Sequence, residues 1–322
     1  MAEDIRLEDF ALRKKSVKKG SLSLIGVVGC GAMGQEIVRV VSQNGFDVNF
    51  VDIDPEVVEK SMKSIEETLD KKIDHWGLTG SEKKAILNRI NGSSDYQSLK
   101  NCDLVIEAIN TNKKGNSTEQ RQDVFKSVEE VVSDQAVIVS NTSTLMISEL
   151  SSVLKNPKRT LGMHFISPVE DIDIVEVVRH ASTDDQTYDL ASRFVRMINK
   201  KLIEVHESPG NISTRMTVPM INEACNILME GVASVYDIDQ TMRSAFGNQY
   251  GPFELADKIG LDKLLKWMDN LYLEFGEQKY KASPVIKRLV RTNHLGRKTN
   301  IGFYKYINNQ AVEQAVTCAQ IS

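Results

Sequence analysis

Residues 24–52 read LIGVVGCGAMGQEIVRVVSQNGFDVNFVD. The apolar run Leu24-Ile25-Gly26-Val27-Val28 has the length and composition of a buried parallel strand. It passes into Gly29-Cys30-Gly31-Ala32-Met33-Gly34, which fits G-x-G-x-x-G. A helical pattern follows from Ala32 to about Gln43, with Ile37, Val38, Val40 and Val41 facing inward. Asn44-Gly45 tolerates the left-handed backbone that closes a helix. A second strand, 48–51, ends on Asp52, 18 positions beyond Gly34.

Each part of that order has a physical reason. Gly29 permits the tight strand-to-helix turn, Gly31 leaves room for a pyrophosphate, and Gly34 lets the helix pack on the strand. Unpaired N–H groups and the helix dipole attract phosphate there. An acid at Asp52 accepts hydrogen bonds from ribose hydroxyls and repels a 2′-phosphate, so NAD is favoured over NADP. Gly29, Gly31, Ala32, Met33, Gly34, Asp52 and Ile53 form the candidate cofactor set. A glycine-rich turn without ligand leaves Asp52 unexplained.

The chain has 322 residues, enough for two domains, with 41% apolar and 26% charged residues. A net charge of −4 does not suggest a polyanion partner, and no apolar run is long enough to span a bilayer. Cys30, Cys102, Cys225 and Cys318 lack metal-ligand spacing, which fits reduced thiols in a cytoplasmic protein with no bound metal. Residues 1–20 form a charged N-terminal extension without the features of a signal peptide.

Asp54-Pro55 reads as the start of a helix reaching about His75, and Ser81 as the cap of a second helix to about Ile90, a helical hairpin insertion over about 55–91. Strands are predicted at 104–108, 137–140, 160–163, 174–178 and 201–205, with helices near 118–132, 146–154 and 184–199. The alternation implies an α/β, Rossmann-like, doubly wound and mainly parallel sheet over 21–207. Beyond Ser208-Pro209-Gly210 only helices are predicted, at 216–231, 237–245, 253–275 and 284–292, making 208–322 an all-helical C-terminal domain.

Three groups fall at strand ends or in apolar runs. Ser143 lies in the polar stretch Ser140-Asn141-Thr142-Ser143-Thr144 after one strand, and His164 ends another. Glu176 sits alone in Ile174-Val175-Glu176-Val177-Val178, where a buried carboxylate needs a partner. Oxidising a secondary alcohol needs a base for the hydroxyl proton; histidine titrates near neutrality, and a carboxylate on its second nitrogen fixes the tautomer. Ser143 is placed to hydrogen-bond the substrate oxygen. A satisfied structural histidine is the bland alternative, and the nearby dinucleotide motif weighs against it.

The pieces GVVGCGAMG, CDLVIEA, SNTSTL, GMHFISPVEDIDIVEVV, YGPFELAD and GRKTNIGFYKY resemble the 3-hydroxyacyl-CoA dehydrogenases, most of all the bacterial 3-hydroxybutyryl-CoA dehydrogenase branch, from about Leu24 to Tyr306. The resemblance implies an NAD-dependent oxidoreductase acting on an acyl-CoA thioester. It implies His164 as the catalytic base paired with Glu176, Ser143 as the substrate-orienting group, and a homodimer through the C-terminal domain. It further implies Thr68, His75, Arg121 and Thr214 near the substrate, and Lys298 and Ser167 near the cofactor; Arg215 also matches a family arginine, with a domain-bracing ion pair as its other reading.

The chain departs from the family pattern at several places. A polar stretch, 110–117, replaces the usual residues after Glu107-Ala108-Ile109, and Thr111 stands where the family has an acid. Thr214 and Ser167 each replace a family asparagine, and Asn211 an apolar residue. A dehydrogenase of a hydroxy acid without CoA, and a cofactor-binding homologue without turnover, are the alternatives.

Overall fold

The computed structural model describes residues 22–74, 77–110, 117–308 and 310–316. Its main sheet contains β1 (Leu24–Val28), β2 (Asp47–Val51), β3 (Ile90–Ser93), β4 (Leu104–Glu107), β5 (Val137–Ser140), β6 (Thr160–Phe165), β7 (Ile174–Arg179) and β8 (Lys201–His206). Their spatial order is β3-β2-β1-β4-β5-β6-β7-β8. All neighbours run parallel except β6 and β7. The eight residues between those two, 166–173, are too few for a parallel crossover, so β7 returns antiparallel.

Helices α1 (Ala32–Gln43), α2 (Pro55–Asp74), α3 (Gly80–Leu87), α4 (Ser117–Val131), α5 (Ile147–Ser151) and α6 (Asp185–Met197) accompany the sheet. Two apolar clusters flank it, one containing Ile25, Val27, Ile37 and Phe194, the other Val28, Val105, Phe125 and Ile138. Chain order reverses between β1 and β4, which opens a crevice beyond their carboxyl ends.

The following lobe holds α7 (Ile212–Met229), α8 (Val235–Phe246), α9 (Pro252–Ile259), α10 (Leu261–Phe275), α11 (Pro284–Arg291) and a hairpin of β9 (Tyr304–Ile307) and β10 (Gln310–Gln314). It has its own core around Val218, Phe253, Met268 and Phe303. Two buried carboxylates tie the hairpin down. Asp239 accepts from Phe253 N, Glu254 N and Tyr304 Oη; Asp257 accepts from Phe303 N, Tyr304 N and Tyr306 Oη. Burial pushes Asp257 up to about 7 against the pull of those three donors.

Several expectations are corrected. Thr79, not Ser81, caps α3, because its hydroxyl accepts from Glu82 N while the Glu82 carboxylate answers its own N–H. That helix ends at Leu87, and polar Ile90–Ser93 is an edge strand. The single helix expected over 253–275 is two, divided at Gly260 with φ +94°. The C-terminal lobe is not strand-free: Tyr304 and Tyr306 alternate inward on β9. Helix α7 starts at Ile212, four residues earlier than expected. His75, Thr111 and residues 1–20 lie outside the described residues.

Candidate active site

The turn after β1 is built for close approach. Gly29 has φ +90°, and a Cβ on it would meet the Ile109 backbone at 2.7 Å. A Cβ on Gly31 would meet nothing within 4 Å, so that face is open. Gly31 is the N-cap of α1, with no side-chain cap and no acid in the first turn. The first N–H groups of α1 are thus left to a ligand. Asp52 holds the turn: Oδ2 accepts from Cys30 N at 2.7 Å and Oδ1 from Ile53 N at 2.8 Å. Each carboxylate oxygen retains acceptor capacity for a ribose hydroxyl. An open glycine face, uncapped N–H groups and an acid at the next strand end fit a dinucleotide. Burial, then the Asp52 charge, push the Cys30 thiol up to about 12, which keeps it inert inside the turn.

The antiparallel return of β7 sets His164 directly opposite Glu176. Nδ1 of His164 lies 2.7 Å from Glu176 Oε2, and Nε2 lies 3.0 Å from Ser143 Oγ. His164 is 5% and Glu176 2% exposed, so the pair is shielded from water. The second lobe completes the set. Ser213, in the first turn of α7, donates its N–H to Glu176 Oε1 at 2.8 Å and its hydroxyl to Oε2 at 2.7 Å. Burial pushes the Glu176 carboxyl up, but the bonds from His164 and Ser213 prevail and hold it below its ordinary value. The loop carrying Ser143 is fixed by Asn211, whose amide donates to Thr142 O and whose N–H donates to Ser143 O. Gly31, Met33, Ser143 and His164 all line one cleft of about 500 Å³ between the lobes.

The 3-hydroxyacyl-CoA dehydrogenase NAD-binding domain matches residues 24–208, and the C-terminal domain of the same family matches residues 210–306. The chain belongs to the 3-hydroxyacyl-CoA dehydrogenase family. It is 38% identical over 285 residues to a 3-hydroxybutyryl-CoA dehydrogenase of Clostridioides difficile, covering 88% of this chain and 99% of that protein. The human mitochondrial hydroxyacyl-coenzyme A dehydrogenase is 33% identical over 298 residues, covering 90% of this chain and 93% of that one. The crystal structure of (S)-3-hydroxybutyryl-CoA dehydrogenase from Ralstonia eutropha superposes with a TM-score of 0.81 at 36% identity, covering 89% of this chain and all of the other. As a member of this family the protein is an NAD-dependent oxidoreductase, and the 29–34 turn falls in the matched NAD-binding domain.

The remaining residues singled out from sequence are scattered around this dehydrogenase cleft. Arg121, Ser167, Thr214 and Lys298 line it. Arg121 pairs with buried Glu107 and donates to Ile109 O at 3.1 Å. Ser167 donates its hydroxyl to Glu36, and Lys298 pairs with Asp262. Thr214 is 1% exposed, and its hydroxyl has no hydrogen-bond partner among the described residues. Thr68 does not line the cleft; its hydroxyl bonds back to Ser64 O. Ile53 is 83% exposed beside Asp52. Arg215 forms no ion pair among the described residues; it lies over the Phe275 ring and donates to Ser208 Oγ and Tyr280 Oη. Sequence reasoning missed Ser213 and the buried Glu107. Glu107 carried a signal, an acid inside an apolar strand, whereas the sequence around Ser213 carried none. Among the described residues no helix is long and apolar enough to cross a membrane, and no His/Cys/Asp/Glu group suits a metal.

Proposed function

We propose that the protein interconverts (S)-3-hydroxyacyl-CoA and 3-oxoacyl-CoA thioesters, with 3-hydroxybutyryl-CoA the short-chain substrate, and that His164 is the proton acceptor. The opposed His164 and Glu176, with Ser143 on the second ring nitrogen and the cofactor turn in the same cleft, carry the reading. The names of the relatives above support the substrate class.

The carboxylate on Nδ1 keeps a proton on that nitrogen, so Nε2 presents its lone pair. In the oxidation direction Nε2 takes the hydroxyl proton of the substrate. Ser143 Oγ, 3.0 Å from the same nitrogen, donates to that substrate oxygen and fixes its place. Glu176 offsets the charge of the imidazolium. The 29–34 turn and Asp52 would hold NAD, which would supply the acceptor for the hydride leaving C3. The Thr214 hydroxyl satisfies its hydrogen bond on a second substrate oxygen. Asp52 would hold the adenosine ribose, and Lys298 and Ser167, which line the cleft, would contribute to holding the rest of the cofactor.

The proposal extends to a cytoplasmic homodimer. Among the described residues, most large apolar side chains left exposed, including Ile212, Met216, Phe246 and Leu273, belong to the helical lobe, which suits that lobe to self-association. A sedimentation profile of a monomer at micromolar concentration would remove this part. For the reaction, acetoacetyl-CoA is supplied with NADH and absorbance at the NADH band is followed. Turnover by the wild type and its loss in His164→Ala are expected. Absent turnover in the wild type, or full turnover in the variant, sinks the assignment.

A further inference from the structure

The first turn of α7 spends its polar groups on the two neighbours of the His164 ring. Asn211 is the N-cap, a place where asparagine ordinarily accepts from the next free N–H groups of its own helix. Here its side chain caps nothing. Its amide donates to Thr142 O at 3.2 Å and its N–H to Ser143 O at 3.2 Å, so it holds the loop on the Nε2 side of the ring. The N–H of Ser213 is thereby left to Glu176 Oε1, at 2.8 Å, on the Nδ1 side. The Ser213 hydroxyl goes to the other oxygen, Oε2, at 2.7 Å. One residue thus grips both ends of the carboxylate, with the positive end of a helix behind it.

The placement of the hydroxyl has a chemical consequence. Oε2 is also the oxygen that accepts from His164 Nδ1, at 2.7 Å. Two donors at equal distance divide the charge of that one oxygen. A carboxylate oxygen shared in this way stabilises an imidazolium less than one given wholly to the ring. On β8, the other neighbour of β7, uncharged Ile203 stands beside Glu176, and uncharged Ser143 closes the far side of the imidazole. The charged groups that line the cleft from elsewhere are Glu36 of α1, Arg121 of α4, Asp257 and Lys258 of α9, Asp262, Lys263 and Lys266 of α10, and Lys298. They are common to every variant compared below, so a difference between variants belongs to the substituted residue.

We infer that Ser213 is a positioning residue for proton abstraction: its hydroxyl holds Glu176 in register with His164 and, by drawing on Oε2, tempers the carboxylate's pull on the Nδ1 proton. This rests on His164 as the proton acceptor proposed above and adds to it a group that acts through Glu176.

The test follows the oxidation of (S)-3-hydroxybutyryl-CoA by NAD as a function of pH. Alanine favours a helix and keeps the backbone bond to Oε1, so Ser213→Ala retains the fold. In that variant Oε2 turns wholly to Nδ1, the imidazolium is held more tightly, and the acid limb of kcat/KM is expected to move up by about 0.5–1 pH unit. The looser carboxylate lowers kcat on the plateau by about 3- to 10-fold, the size of one hydrogen bond to a charged group, with KM within about 2-fold of wild type. Ser213→Thr, which keeps the hydroxyl, returns both the limb and the rate. Asn211→Ala loosens the same turn without touching Glu176, and is expected to lower the rate and leave the limb in place. A limb that stays put or moves down in Ser213→Ala overturns the inference, as does an equal displacement in Asn211→Ala or a threonine variant that behaves like alanine. In those cases turnover by the wild type leaves the dehydrogenase reading standing; a wild type without turnover on any acyl-CoA removes both.

Discussion

Replacing Glu176 with glutamine keeps the side chain's shape and removes its charge, which makes it a direct probe of the proton acceptor. The carboxylate now serves three donors: His164 Nδ1 at 2.7 Å, Ser213 Oγ at 2.7 Å and Ser213 N at 2.8 Å. An amide offers one acceptor oxygen and one NH₂ group. With its oxygen toward His164, the NH₂ meets the Ser213 backbone N–H, leaving two donors unsatisfied at a cost of about 1–3 kcal/mol each. With its oxygen toward Ser213 N, the NH₂ meets Nδ1, which must become an acceptor. The ring proton then moves to Nε2, and no lone pair faces the substrate. The second arrangement is cheaper, because the Ser213 hydroxyl rotates to accept. Loss of a carboxylate that sets a histidine tautomer lowers kcat by about 10⁴-fold in the serine-protease precedent, or about 5.4 kcal/mol of barrier. Acetoacetyl-CoA-dependent consumption of NADH reads kcat, and NADH fluorescence confirms an intact cofactor site. A Glu176→Gln enzyme within about 10-fold of wild type, less than the usual worth of a positioned base, refutes the argument.

Further outcomes follow from other contacts. Asp52→Ser weakens NADH binding by about 10-fold and relaxes discrimination against NADPH; fluorescence titrations unchanged for both coenzymes would show that Asp52 does not read the ribose. Gly302→Ala forces a Cβ to within 1.9 Å of Asp257 Oδ1, so the β9–β10 hairpin must lift from its carboxylate anchor. A loss of about 1–3 kcal/mol and a lower Tm are expected, and an unchanged Tm counts against the clamp. Because the Glu176 carboxyl is held below its ordinary value of 4.5, its stabilisation is complete above that pH and is lost as pH falls through the lower folded value. Urea midpoints followed down in pH should therefore fall more steeply for wild type than for Ser213→Ala, and parallel curves would refute the contribution of that hydroxyl.

The stretch 24–52 was readable because each requirement is local: a strand-length apolar run, glycines where backbone must approach backbone, and an acid at the next strand end. His164 and Glu176 were readable as isolated polar residues in apolar strands. That they stand directly opposite one another was not, since it depends on the antiparallel return of β7 after a short connection. Ser213 was missed because its role is non-local: nothing around Ile212-Ser213-Thr214 announces a carboxylate on another lobe. Strand β3 was missed because only Ile90 is buried in it, so an edge strand looked like the polar end of a helix. The break at Gly260 was hidden for the opposite reason. The apolar periodicity of α9 runs on into α10, and one glycine with φ +94° redirects the chain without disturbing the pattern.

The two hydrogen bonds from Ser213 to Glu176 make the imidazole's electrostatic companion a joint possession of both halves of the molecule. If the halves swing apart, that carboxylate sheds two of its three donors at once and its affinity for a proton climbs. The helix beginning at Ile212 thereby helps to hold the carboxylate that orients His164.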